Sequence, residues 1–306
     1  MKFYKILIIS IFLNLSLYAN IVDEFPSYRY VFNELDVDEN YIYDKNFQDF
    51  VNKNKYRYRR LFIQAVNRGQ LIVPTMREVM YQKDISPLFI YLSMVESAFR
   101  THAISSSSAG GLWQFVKLTA LDENMQVNNI IDERYDPIKS TSRAIDYLYK
   151  IHDNLGKWYL TAMAYNCGAG CVQDSIDRAG TIDLSRLINP NANYIRKETR
   201  DYIKKILLFA MIGENYLFKA GDNLGEMKYQ FDNDRIIPVR VRGGENLRNI
   251  ASILQMDYSA LKRINLHLKK DFVPSNSNIM VNIPASRVQM FRNAYGNPRR
   301  AENIYR

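Results

Sequence analysis

The stretch SMVESAFRTHAISSSSAGGLWQF, residues 93–115, holds the side chains best placed to do chemistry. Its one acid, Glu96, lies beside an apolar helical face marked by Leu88, Leu92, Val95 and Phe99. Partial desolvation there raises a carboxyl pKa toward the operating pH, while Arg100, one turn on, opposes the shift if its charge is near. A carboxylic acid so tuned can protonate a leaving oxygen and later take a proton back. The small, polar run Ser105–Gly111 suits the close approach of a bulky polymer to the backbone. Trp113 and Phe115 offer apolar faces that can stack on sugar rings or pack into a core, and Gln114 offers a bidentate amide.

Other chemistries find less support. The histidines, His102, His152 and His267, are scattered without ligand spacing, so neither a metal site nor any other cofactor is expected. Cys167 and Cys171 stand four residues apart, close enough on a helix to meet, but they do not make a disulfide framework and read as incidental to function. A second carboxylate working with Glu96 would have to be Asp132 or Asp136, and Asp136 reads instead as the cap before Pro137.

The elements that must position these residues are mainly helical. Residues 20–45 show no clear periodicity and read as an irregular lead-in. Phe47 to Lys83 carries helical apolar stripes, and Ser86-Pro87 caps the helix that bears Glu96. Further helices are expected over Ser140–Leu155, Trp158–Tyr165 and Tyr194–Phe218, the last with Ile203, Ile206, Leu207, Ala210 and Met211 facing inward. A polar Gly/Asp/Asn-rich stretch from Ala220 reads as a linker. Beyond it, Pro238–Arg242 alternates like a strand, Asn246 caps a short helix, Tyr258–Ile264 forms another, and Ile279–Ile283 is a second strand. The expected organisation is a helical segment over 20–85, an all-α domain over 86–220, a linker over 221–236, a small β-α-α-β domain over 237–285 and a solvated basic tail over 286–306.

Residues 1–19 have the order of a signal peptide: Lys2 and Lys5, an apolar run from Ile6 to Leu17, then Ala19. The expectation is export to a bacterial periplasm. The chain carries a formal charge of +9, which falls to +7 without that segment. Such a charge suits acidic wall glycans or anionic headgroups, and export argues against a nucleic-acid partner. No lipid-attachment cysteine follows the apolar run, which leaves membrane association open.

The residues then resemble a known family. Glu96-Ser97, Ser105, Gly111-Leu112-Trp113-Gln114-Phe115, Ala164-Tyr165-Asn166-Cys167-Gly168 and Glu198-Thr199-Arg200-Asp201-Tyr202 occur in the order and spacing of the motifs of lytic murein transglycosylases of the goose-lysozyme-like (SLT) family, with the D group the nearest resemblance. Gly244–Leu247, Ile250-Ala251, Leu261, Asn265 and Ile283-Pro284 resemble a LysM domain. Thr101 departs from a usual proline, Cys167 fills a variable position, and Ser277-Asn278 replaces a usual glycine. The resemblance implies a lysozyme-like all-α catalytic domain followed by a small β-α-α-β LysM domain. It implies a monomeric carbon–oxygen lyase that cleaves peptidoglycan glycan strands at the MurNAc-β-1,4-GlcNAc bond and leaves 1,6-anhydro-MurNAc ends. Glu96 becomes the single acid/base; Ser105, Gln114, Tyr165 and Asn166 become substrate-binding cleft residues; Glu198 and Tyr202 become outer members of the same site. Tyr202 could equally be a buried phenol, and Glu198 a surface partner of Arg200 or Lys197. The rival readings are a lysozyme-like muramidase and a non-catalytic LysM peptidoglycan-binding protein.

Overall fold

The computed structural model describes residues 21–219, 235–275 and 280–295. The signal segment, residues 220–234 of the linker, Ser277-Asn278 and the end of the basic tail lie outside them. In chain order the helices are α1 (Tyr28–Glu34), α2 (Lys45–Arg68), α3 (Ile72–Gln82), α4 (Ile90–Ser97), α5 (Lys117–Asp122), α6 (Pro137–Leu155), α7 (Trp158–Cys167), α8 (Ala169–Ala179), α9 (Leu184–Leu187) and α10 (Lys197–Lys219). There follow strand β1 (Ile236–Arg240), α11 (Leu247–Ile253), α12 (Tyr258–Arg263), strand β2 (Met280–Pro284) and α13 (Val288–Tyr295). The protein is thus mainly α with one β-α-α-β unit. Among the described residues it divides into two compact units: one takes the residues up to Phe62 and those from Lys150 to the end of α10, the other Ile63–Tyr149 and everything from Arg235 on.

In the first unit, the irregular lead-in expected before residue 45 is instead a packed collar. Ile21, Phe25, Tyr28, Val31 and Phe32 are all buried, and Phe32 meets the rings of Tyr41 and Phe47. Pro26 interrupts the helical spacing, which hides the pattern in the sequence. What stabilises the collar comes from far along the chain. The Ser27 backbone N–H and hydroxyl donate to Asn215 Oδ1 and Met211 O of α10, and Glu24 pairs with Lys55 and Arg59 of α2. On α10 the predicted inward residues Ile203, Ile206, Leu207, Ala210 and Met211 are buried as expected.

In the second unit, β1 and β2 pair antiparallel, Ile236 opposite Pro284 and Arg240 opposite Met280. The strand therefore starts two residues before its expected place and takes in Ile236, whose N–H donates to Thr75 Oγ1 of α3 at 2.8 Å. Asn246 caps α11 as expected, accepting from Arg248 N. Asn265, fully buried, joins α12 to β2: its amide donates to Leu261 O at 2.9 Å and Asn282 O at 2.7 Å, and accepts from Asn282 N at 2.7 Å. Removing it leaves buried partners unpaired, each costing about 1–3 kcal/mol. Asn265→Ala is therefore expected to lower unfolding stability by about 2–4 kcal/mol in urea denaturation. The solvated tail expected from residue 286 is corrected for its first ten residues: α13 packs back, with Phe291 fully buried and stacked on Tyr295.

This β-α-α-β unit also docks on the helical part of its own unit. Asp132 N donates to His267 O and Lys269 N to Ile130 O, at 2.9 and 3.0 Å. Lys269 Nζ donates to Asn128 O, and Arg235 faces Glu78 at 3.5 Å.

Candidate active site

In the second unit, Ser86 and Pro87 start a 3-10 turn, Pro87–Phe89, that leads into α4. Burial of Leu88, Leu92 and Met94 seats the helix, and Glu96 stands half-buried in its last turn. The helix stops abruptly, with Ala98 and Phe99 both left-handed at φ 50° and 57°. That conformation costs about 1–2 kcal/mol for each such residue. Burial of the Phe99 ring and a bond from Arg68 Nε to Ala98 O, 3.1 Å, offset it. Ser93 Oγ and Ser97 Oγ, on either side of Glu96, both donate to Leu112 O at 2.9 Å. Glu96 is therefore carried on a stub clamped to the Gly-Leu-Trp-Gln-Phe run, and backbone strain held in place by its surroundings is concentrated at functional sites.

The Ser/Gly loop is closed on itself. Ser105 Oγ accepts from Ala109 N at 3.1 Å and lies 2.9 Å from Ser107 Oγ. Gln114, at φ 49°, donates its amide N–H groups to Ala103 O and Gly111 O, so its carbonyl oxygen is the part of the amide left as an acceptor. Trp113 and Phe115 are both core residues, correcting the sugar-stacking option. Trp113 is fully buried with Nε1 donating to Thr141 Oγ1, and Phe115 packs by the Tyr147 ring.

Arg134, which sequence reasoning missed, fastens this loop from behind. Its Nη1 donates to Ser108 O and Phe115 O at 2.9 and 3.2 Å, while Nε and Nη2 make a fork to Asp132 at 2.9 Å each. The Asp132 bonds hold the guanidinium proton more firmly than usual. An arginine beside an aspartate reads as surface charge in a sequence, so no local signal marks it. Asp132, 3% exposed at its side chain, is committed to this pair. Asp136 accepts from Ile138 N and Lys139 N and so caps α6.

In the first unit, Tyr165 and Asn166 lie half-buried at the end of α7. Asn166 Oδ1 accepts from Thr199 Oγ1 of α10 at 2.7 Å, a second partner the sequence did not disclose. Glu198 is exposed in the first turn of α10, and Tyr202 is buried one turn on. Lys197 pairs with Asp201, and Arg200 donates to Ile195 O and Asn193 Oδ1, so neither cation is the Glu198 partner that the sequence left open. Cys167 and Cys171 are bonded, closing the elbow between α7 and α8.

Comparison with known proteins bears on what these two clusters are. Residues 75–188 match the transglycosylase SLT domain, and residues 235–299 match the LysM-like domain of lytic transglycosylase MltD. The chain carries an SLT domain and an MltD-type LysM-like domain. It is homologous to membrane-bound lytic murein transglycosylase D of Escherichia coli, 26% identical over 209 residues, or 66% of this chain and 44% of the relative. Membrane-bound lytic murein transglycosylase C of Actinobacillus pleuropneumoniae is 28% identical over 163 residues, 45% of this chain and 44% of its own. The chain thus spans less than half the length of these relatives. Among solved structures, the 70 kDa soluble lytic transglycosylase from Escherichia coli aligns with a TM-score of 0.41 at 22% identity, over 47% of this chain and 24% of that one. The SLT match takes in Glu96, Ser105, Gln114, Tyr165 and Asn166; Glu198 and Tyr202 fall beyond its end. The LysM-like match takes in α13, in accord with its packed Phe291.

Proposed function

We propose that this chain is a periplasmic lytic murein transglycosylase that cleaves the MurNAc-β-1,4-GlcNAc bond of peptidoglycan with Glu96 as its single acid/base. The observation that carries the reading is that both aspartates considered as a second carboxylate are held by other groups. Glu96 is half-buried on a clamped helix end inside an SLT domain, whereas Asp132 is locked to Arg134 and Asp136 to the α6 N-terminus. A hydrolase on this fold would need a second carboxylate to activate water or form a covalent intermediate. An internal nucleophile removes that need.

The chemistry balances with one carboxyl. Protonated Glu96 gives its proton to the glycosidic oxygen, and GlcNAc leaves with a free 4-hydroxyl. The cation developing at the muramic anomeric carbon is stabilised with help from the 2-acetamido group. Carboxylate Glu96 then takes the proton of the muramic 6-hydroxyl, whose oxygen closes on the anomeric carbon as a 1,6-anhydro ring. Holding the nucleophile within the same sugar gives it a high effective concentration. Gln114 and Asn166 supply amides for sugar hydroxyls and acetamido groups. Ser105 shapes the loop, and Tyr165, Glu198 and Tyr202 are substrate-binding residues by the family motifs they match. The LysM-like domain binds the same class of glycan.

The test is a digest of purified sacculi analysed by mass spectrometry. Muropeptides lighter by one water, with no reducing muramic end, are the expected products. Hydrated, reducing products would move the assignment to a muramidase. Folded protein that pellets with sacculi but releases nothing would be a wall-binding module.

A further inference from the structure

We infer that the Cys167–Cys171 disulfide is a positioning device for Asn166, and that glycan cleavage depends on its being oxidised. The inference rests on the transglycosylase reading above. It concerns the point where α7 ends and α8 begins. The single residue between them, Gly168, has φ 90° and ψ 149°, a conformation closed to side chains with a Cβ. The next residues, Ala169 and Gly170, are equally small. A Cβ placed on Gly168 or Gly170 would meet no atom within 4 Å, so no neighbour presses on the elbow at these two positions. Two glycines in three residues also give this stretch more backbone freedom to lose than ordinary residues have.

Three backbone bonds hold the turn: Gly168 N donates to Ala164 O at 2.7 Å, and Cys171 N and Val172 N donate to Gly168 O at 3.1 and 3.3 Å. The disulfide adds the covalent strap, with its Cα atoms 5.9 Å apart. Asn166 is the residue immediately before this strap. Its Oδ1 is taken by Thr199, which leaves the amide N–H groups to meet an acceptor oxygen on a sugar. That bond fixes the far end of the side chain, and the strap fixes the backbone it springs from.

A staple that closes so short a loop restrains the unfolded chain less than one closing a long loop, so its main effect is local. An oxidising compartment, as expected for an exported chain, keeps such a bond formed. Reduction by a dithiol transfers two hydrogens: the protein bond becomes two thiols and the reductant leaves as a cyclic disulfide. The Gly-Ala-Gly elbow is then free to shift Asn166 relative to Thr199. A displacement of about 1 Å in a positioning group costs as much as a hundredfold in rate.

The experiment measures anhydro-muropeptide release by oxidised protein, by protein reduced with dithiothreitol, by reduced protein re-oxidised, and by a Cys167→Ser/Cys171→Ser variant. Thermal unfolding is followed in parallel. The expected result is a loss of at least about tenfold in kcat/KM in the reduced and variant forms. Re-oxidation restores the reduced form, and the melting temperature changes little. In an Asn166→Ala background, removing the disulfide is expected to cost nothing further, because both act through one side chain. A merely structural strap would cost the same in either background. Reduced and variant proteins as active as the oxidised one would overturn the inference and leave the transglycosylase reading standing. Oxidised wild type that releases no anhydro product would overturn that reading and the inference with it. The reversible arm covers a variant that fails to fold.

Discussion

Glu96→Gln is expected to lower anhydro-muropeptide release by about 10³-fold while leaving the fold and the binding of sacculi intact. General acid–base groups contribute roughly 10²–10⁴-fold, and here one carboxyl is asked to serve in both directions. Glutamine preserves the volume and one hydrogen-bonding oxygen but carries no proton acidic enough to give to a glycosidic oxygen. Neither aspartate considered as a second carboxyl is free to take over, because Asp132 is held in a fork by Arg134 and Asp136 caps α6. The neighbours of Glu96 keep their roles: Ser93 and Ser97 still hold Leu112 O, so α4 should end where it does now. Cleavage would be read from initial rates of muropeptide release and folding from circular dichroism. Pelleting with sacculi reports whether the glycan is still bound. A variant retaining a tenth or more of wild-type activity would remove Glu96 from the acid/base role.

Local chemistry makes much of this fold legible in the amino-acid sequence. The Ser86-Pro87 start, the Asp136 and Asn246 caps and the apolar stripe of α10 are determined by neighbours within a turn or two, and each stands where expected. The motif residues are legible for a different reason, a resemblance spread over the chain. The misses share one cause: their partners lie far away in sequence. The collar before residue 45 depends on Ser27 meeting Asn215, and on Glu24 meeting Lys55 and Arg59. Trp113 offers the same apolar face whether it meets sugar or core, and only Thr141 on α6 decides it. Arg134 gains its meaning from the carbonyls of Ser108 and Phe115, and Thr199 from the amide of Asn166. Charge and spacing along the chain carry none of this.

Gly111→Ala should be among the most damaging single substitutions in the second unit, and it tests the same clamp from the other side. Gly111 sits at φ 78°, and a Cβ there would lie 1.9 Å from the carbonyl oxygen of Arg134. The obstacle is backbone, which cannot rotate away as a flexible side chain would. Relief requires either the loop or residues 134–135 to move. Either motion pulls Arg134 from Ser108 O and Phe115 O, and the Asp132 fork resists it. The left-handed conformation costs an alanine about 1–2 kcal/mol and the overpacking about 1–3 kcal/mol more. An internal control separates the two. Gly156, at φ 66°, has nothing within 4 Å of its Cβ position, so Gly156→Ala carries the conformational cost alone. Urea denaturation is expected to show a loss of about 1–2 kcal/mol for Gly156→Ala and about 2–5 kcal/mol for Gly111→Ala. Activity should separate the variants further: displacing Leu112 loosens the seat of Glu96, so Gly111→Ala protein that still folds should cleave poorly, and Gly156→Ala should cleave as wild type does. Equal stability losses in the two variants would mean that the loop yields freely, and Arg134 would then not be the clamp described.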